Sequence, residues 1–281
     1  MVVVALATAG CLPWEDLSSG YDAGLGAGAT ASSSGSATGG SDGGPGGDAG
    51  RGGAGGSGDL CPATGRGPTM VPAVYQLTRF CIDRTEVTDD QYGAFVLDTR
   101  DDTTGQPLEC EWNETYQTAN PGGRSDFPAV GMDQCDAKAF CAWAGKHLCG
   151  PVERGDVDWA LTQWQRSQWT FACTEAGAHD HAYGDVPVQG RCNFSGELMG
   201  VGTNPDCEGG FPGLLDMLGN VWEWVDRCDP PGDAGAGEEQ CSFAGGGYQQ
   251  SHRTTGCDVL GTGERSYIHP DLGFRCCAPV P

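Results

Sequence analysis

LDMLGNVWEWVDRC, residues 215–228, sets two acids, Asp216 and Glu223, on either side of a Gly-Asn pair and follows that pair with two tryptophans. Gly219 and Asn220 tolerate positive backbone angles, so the chain reverses there. The residues that follow, 221–225, alternate β-branched and aromatic side chains with one acid, the pattern of a pleated strand. On such a strand Trp222 and Trp224 share one face, and Glu223 lies on the other, toward the side Asp216 approaches. Two carboxylates and the carbonyls of a turn, converging in this way, suit a hard cation with oxygen ligands. The plainer alternative is that these acids cap the turn or pair with Arg227.

Around this stretch, the chain of 281 residues carries 38 acidic and 15 basic side chains, a formal charge of −23. Such a field repels phosphate backbones, which argues against nucleic acid as a partner. There are 15 cysteines and no CxxC spacing, which points to disulfides in an oxidising compartment rather than a zinc ribbon or thioredoxin-like pair. The odd count resolves at the N-terminus, where MVVVALATAGC closes an apolar run on Ala9-Gly10-Cys11. That end resembles a bacterial lipoprotein signal, in which Cys11 becomes the lipidated first residue; a plain cleaved secretory peptide is the alternative. Both readings export the protein, the first as a cell-envelope lipoprotein whose one link to a membrane is the lipid on Cys11. Without Cys11, the remaining cysteines are even in number and can all be bridged.

Residues 12–59 are mostly Gly, Ser, Ala, Thr and Asp, as in GGSDGGPGGDAGRGGAGGSG, a composition that cannot bury enough surface to offset its ordering entropy and reads as a flexible tether. The foldable domain is residues 60–281, with strands expected over 69–75 and 79–87. Thr88 and Gln91 have capping-box spacing at the start of a helix. Asp133 is placed to cap a second helix that Gly145 stops, and a third is expected between Asp156 and Ala172. The rest reads as loops with brief strands. This is an α+β domain, disulfide-rich and with much irregular structure.

Several stretches, in order, resemble the formylglycine-generating enzymes, or sulfatase-modifying factors. They are FCIDRTEVTDDQYGAF (80–95), FPAVGMDQCDAKAFCAWAGKHL (127–148), GLLDMLGNVWEW (213–224), GGGY (245–248) and LGFRC (272–276). The similarity extends from about residue 60 to 277 and implies that family's fold, which is related to C-type lectins. It implies a calcium ion held by Asp216, the carbonyls of Gly219 and Val221, and Glu223. It also implies a second calcium site beginning at Asn193, whose other ligands cannot be placed.

The family's oxidation of a substrate cysteine uses copper(I) bound by two cysteines spaced C-x4-C, a soft pair that must be free of other bonds. Here GGGYQQSHRTTGCD (245–258) puts Gln250 where the first of them is expected, and Cys257 is the first thiol reached. By resemblance, Cys257 belongs to a scaffold bridge with Cys173, and Cys141 pairs with Cys276. Copper is therefore not expected. Cys228 and Cys241 bracket a short loop and are expected to close it, while Cys276 and Cys277, on opposite faces of a strand, need different partners. His252, and His179 with His181, read as loop histidines rather than metal ligands. The implied function is a non-catalytic binding or structural module for an unidentified protein or glycan ligand. Its contacts would be Tyr248, Gln250 and His252, with Trp112 and Tyr116 nearby. The alternative is a formylglycine-generating or related oxidative enzyme.

Overall fold

The computed structural model describes residues 12–13, 60–119, 124–152, 166–230 and 235–281. In chain order the strands are β1 (Leu12–Pro13), β2 (Met70–Tyr75), β3 (Thr78–Asp83), β4 (His147–Leu148), β5 (Trp222–Cys228), β6 (Gln240–Ala244), β7 (Leu260–Glu264), β8 (Leu272–Phe274) and β9 (Cys276–Pro279). They form two sheets, ordered β1-β7-β6-β5-β8 and β2-β3-β9-β4. β1 and β8 pair in parallel with β7 and β5, and the other pairings are antiparallel. The short β1 lies within the stretch read as a tether.

Local sequence explains the helices. α1 (Asp89–Thr99) begins at Thr88, whose hydroxyl accepts from Gln91 N while the Gln91 side chain accepts from Thr88 N; each bond satisfies a donor that the first turn would leave unpaired. Asp133 and Asp136 make the same reciprocal pair at the start of α2 (Gln134–Trp143), and Gly145, at φ 72°, carries the chain out of it. α3 spans Gln168–Cys173; of the helix expected between Asp156 and Ala172, residues 153–165 lie outside the described residues. β3 ends at Asp83 instead of running to residue 87. Beyond it, Val87 keeps one bond to Phe274 O, and Glu86 is buried beside Asn220.

Strand alternation divides the interior. Trp222 and Trp224 set their rings edge-on to Phe243, at 5.2 and 5.3 Å between centroids, in a core that also holds Tyr92, Phe95, Phe140 and Phe274. Val225 packs into a second core with Trp169, Phe171, Leu214 and Met217. β9 divides in the same way, with Cys276 in the first core and Cys277 in the second. Every cysteine from Cys61 onward is bridged: Cys61–Cys81, Cys110–Cys135, Cys141–Cys276, Cys149–Cys277, Cys173–Cys257, Cys192–Cys207 and Cys228–Cys241. Among the described residues, no helix is long and apolar enough to cross a membrane.

Candidate functional site

The reversal before β5 is built from left-handed residues: Asp216 at φ 55°, Gly219 at 74° and Asn220 at 58°. Gly219 is required on two counts, since a Cβ there would also collide with the carbonyl of Asn193. Asn220 fastens the turn: its Oδ1 accepts from Asn193 Nδ2 (2.9 Å) and Met199 N (3.0 Å), and its Nδ2 donates to Glu86 Oε1 (2.9 Å). Asn193 is committed to this network, because its Oδ1 also accepts from Ser195 N and Oγ.

Glu223 is fully buried on the face of β5 opposite the two tryptophans. Its partner is Arg275, not Arg227, which is exposed. Arg275 donates from Nε to Glu223 Oε2 and from Nη2 to Oε1, both at 2.7 Å, and Trp169 Nε1 donates to Oε2 at 2.7 Å. The same guanidinium reaches the carbonyls of Asp83, Leu215 and Asp216. Asp216 accepts from Gly202 N at 2.5 Å.

Three buried carboxylates, Glu86, Asp216 and Glu223, thus surround one guanidinium. Burial, then the charge of Asp216, pushes Glu86 well above the usual carboxylate range. Burial raises Asp216 to about 6, against the lowering effect of the Gly202 bond and Arg275. Burial works to lower Arg275, but Glu223, with Glu86 and Asp216, outweighs it and holds the guanidinium above its ordinary value. Glu86 Oε2 is buried with no hydrogen-bond partner. This orphaned oxygen and the surplus of negative charge fit an added hard cation, and Glu223 Oε1, with one donor, keeps a lone pair free for it. Among the described residues no group of three or more His, Cys, Asp or Glu side chains has metal-site geometry, so such an ion would draw on the Gly219 and Val221 carbonyls as well as the acids.

The 248–256 loop abuts this turn through Tyr248 N, which donates to Asn220 O at 2.9 Å. Gln250 Oε1 accepts from Gly247 N at 3.1 Å. The loop then closes on Ser251, which takes bonds from Arg253 N and the Thr254 and Thr255 hydroxyls, and ends at Cys257, bridged to Cys173 of α3. His252 is half-buried in it. His179 faces Asp185 and Glu175, at 3.0 and 3.5 Å. Trp112 lies against Gly237, and Tyr116 packs on Phe95. Cys11 lies outside the described residues.

Sequence reasoning missed Arg275, Glu86 and Trp169 as members of the site. It also missed Asp271, which is held by His269 Nδ1 beneath the Gly247 turn. Arg275 carried the one available signal: a lone basic residue between Phe274 and Cys276, amid apolar residues that end β8 and begin β9, requires a buried acid.

The family described as the sulfatase-modifying factor enzyme 1-like domain matches residues 45–279. A formylglycine-generating enzyme of Mycobacterium tuberculosis is 34% identical over 46% of this chain and 45% of its own length. One from Streptomyces coelicolor is 27% identical over 78% of this chain and 83% of its own. The inactive C-alpha-formylglycine-generating enzyme 2 of Bos taurus is 28% identical, over 58% and 55%. The chain thus spans about half the length of the Mycobacterium protein. Among solved structures, PvdO from Pseudomonas aeruginosa superposes with a TM-score of 0.49 at 19% identity, over 72% of this chain and 81% of that one. The α+β arrangement, the GNVWEW turn closed by Arg275 and the match across most of the sequence place one conclusion beyond the level of resemblance: this chain belongs to the sulfatase-modifying factor enzyme 1-like domain family.

Proposed function

We propose that this protein is a non-catalytic member of its family, exported and anchored by a lipid on Cys11, whose domain binds a ligand or scaffolds other envelope components. The observation that carries the reading is the fate of the thiols. Cys257, the first cysteine after the GGGY turn, is bonded to Cys173, and by resemblance Gln250 stands where the first copper-binding cysteine is expected. A copper(I) site needs two adjacent thiolates, and a disulfide sulfur is not one. Similarity to proteins named as inactive formylglycine-generating enzymes in Bos taurus and Mus musculus supports this reading.

In the same reading, calcium bound by Asp216, Glu223 and the Gly219 and Val221 carbonyls is structural. Bound there, it supplies positive charge among buried acids, while Arg275 orients Glu223 and Asn220 holds the turn. The face formed by Tyr248, Gln250 and His252 is the ligand-contact surface. The test is direct: the protein, with copper(I), dioxygen and a peptide containing Cys-x-Pro-x-Arg, yields no aldehyde above background. Aldehyde that forms, and falls after Cys257→Ser, overturns the non-catalytic reading in favour of an oxidase.

A further inference from the structure

Helix α1 ends against a cavity of about 360 Å3, well away in sequence from the 248–256 loop and lined by Phe95, Thr99, Asp102, Tyr116, Lys138 and Trp143 among others. That volume lies within the range of small-molecule sites. We infer that this cavity is a binding site for a small organic cation, an ammonium head on a short apolar stem, held between the Trp143 and Tyr116 rings and the carboxylate of Asp102.

The charge around the cavity is arranged for a cation. α1 carries no basic residue in its last turn, and its C-cap, Arg100, is exposed. The negative end of the helix is followed by one exposed cation, Arg100, and then by the acids Asp101 and Asp102. Arg100 and Asp101 are both left-handed, at φ 56° and 58°, which turns the chain so that Asp101 accepts from Tyr116 N (2.5 Å) and the Thr115 hydroxyl (2.9 Å). Asp102 follows, bonded only locally, to Thr104 N at 3.0 Å.

Lys138 is the one basic side chain in the lining, and its charge is already taken up by Glu109 at 3.1 Å and Asp226 at 3.2 Å. Asp102 is the one acid in the lining. Burial raises the Tyr116 phenol above its usual range, and Asp136, Asp102 and Asp101 push it further, which reports a negative field at that ring. Aromatic faces beside such a field attract cations. The protein already uses this chemistry on the same side chain: the Arg66 guanidinium lies 4.4 Å from the Trp143 ring centre, and 3.1 Å from Asp98.

The inference stands apart from the ligand-loop reading and from the calcium turn, so its failure would leave both intact. The probe is choline, compared with 3,3-dimethylbutan-1-ol, its neutral isostere, and 3,3-dimethylbutyrate, an anion of similar shape. Each is titrated into the full chain with its disulfides intact. The readout is the indole N–H resonance of Trp143, a side chain of the cavity wall whose Nε1 donates to Asp98 at 2.7 Å; the resonance is assigned by its loss in Trp143→Phe. Choline is expected to shift it saturably and to bind at least fivefold tighter than the alcohol. Asp102→Asn is expected to weaken choline about threefold or more, leaving alcohol affinity and melting temperature unchanged. Equal affinities for choline and alcohol, tighter binding of the anion, no shift with choline, or indifference to Asp102→Asn would each overturn the assignment.

Discussion

Glu223 and Arg275 meet in a paired, two-bond contact with both side chains fully buried, across 52 residues of sequence. The contact joins β5 to the end of β8, and Arg275 adds four backbone carbonyls, those of Asp83, Arg84, Leu215 and Asp216, to its partners. An arginine so placed acts less as a surface charge than as a multi-pronged clamp on the turn that carries Asp216. Removing one member of a buried pair strands the other in a low-dielectric interior. Arg275→Met is therefore expected to cost about 3–5 kcal/mol in urea unfolding. A loss below about 1 kcal/mol would show that Glu223 simply takes up a proton when its partner is gone.

The calcium reading gives a second prediction. A ligand that binds only the native state raises its stability by mass action, so a chelator should lower the melting temperature. Asp216→Asn combined with Glu223→Gln should remove that sensitivity. Because the Glu86 carboxylate has an orphaned oxygen in the same cluster, Glu86→Gln should narrow the gap between calcium-loaded and chelated protein. Identical melting curves with and without chelator would end the calcium assignment.

Asp133 sets a pH dependence. Burial, outweighing its bonds to the Asp136 and Cys135 amides, raises its folded value to about 6 from 3.8. Between these two values the native state holds a proton that the unfolded chain has released. The contribution of Asp133 to stability is then fully present below pH 3.8 and is lost as pH rises toward and through 6. Asparagine caps a helix as well as aspartate does. Asp133→Asn should therefore leave α2 capped and make stability fall less steeply from pH 4 to pH 6.5 than in the native protein. Parallel pH profiles for the two proteins would show that Asp133 is ionised throughout.

The disulfide framework predicts that the non-reduced protein yields no alkylatable thiol between Cys61 and Cys277. Peptide mapping should recover Cys149 with Cys277 beside Cys141 with Cys276. Replacing both Cys173 and Cys257 by serine releases the 248–256 loop from α3 and enlarges the covalent loops available to the unfolded chain. The expected cost is about 2–5 kcal/mol, together with faster amide exchange at Thr254 and Thr255. Unchanged exchange there would show that the Ser251 bonds alone order the loop.

Much of this fold is legible locally. Thr88 with Gln91, and Asp133 with Asp136, declare two helix starts within four residues each, and the alternation of residues 221–225 separates the tryptophans from Glu223 without reference to any other part of the chain. The site is less legible, because its decisive partners are not neighbours in sequence. Nothing in the spacing around Glu223 points to Arg275, and Arg227, four residues away, is the more obvious partner. What excludes Arg227 is strand geometry near the end of β5, where it is exposed. Glu86 was hidden for a similar reason: residues 84–87 look like a continuation of β3, but they leave the sheet and place a carboxylate beside Asn220.

Residues 275–277 make three long-range links in succession: Arg275 to Glu223 across 52 residues, Cys276 to Cys141 across 135, and Cys277 to Cys149 across 128. The backbone N–H of Cys276 also donates to Asp83 at 2.9 Å. All of their partners are synthesised earlier. The growing chain therefore carries Cys141, Cys149 and Glu223 without their native mates until this tripeptide has been made, and during that interval the two cysteines are open to mispairing with any other thiol already present. Non-local closure of this kind is slow, and disulfide reshuffling takes seconds to hours unless catalysed. Maturation should then begin in earnest only after this segment is delivered, and its yield should depend on a disulfide isomerase in the compartment where the chain is oxidised.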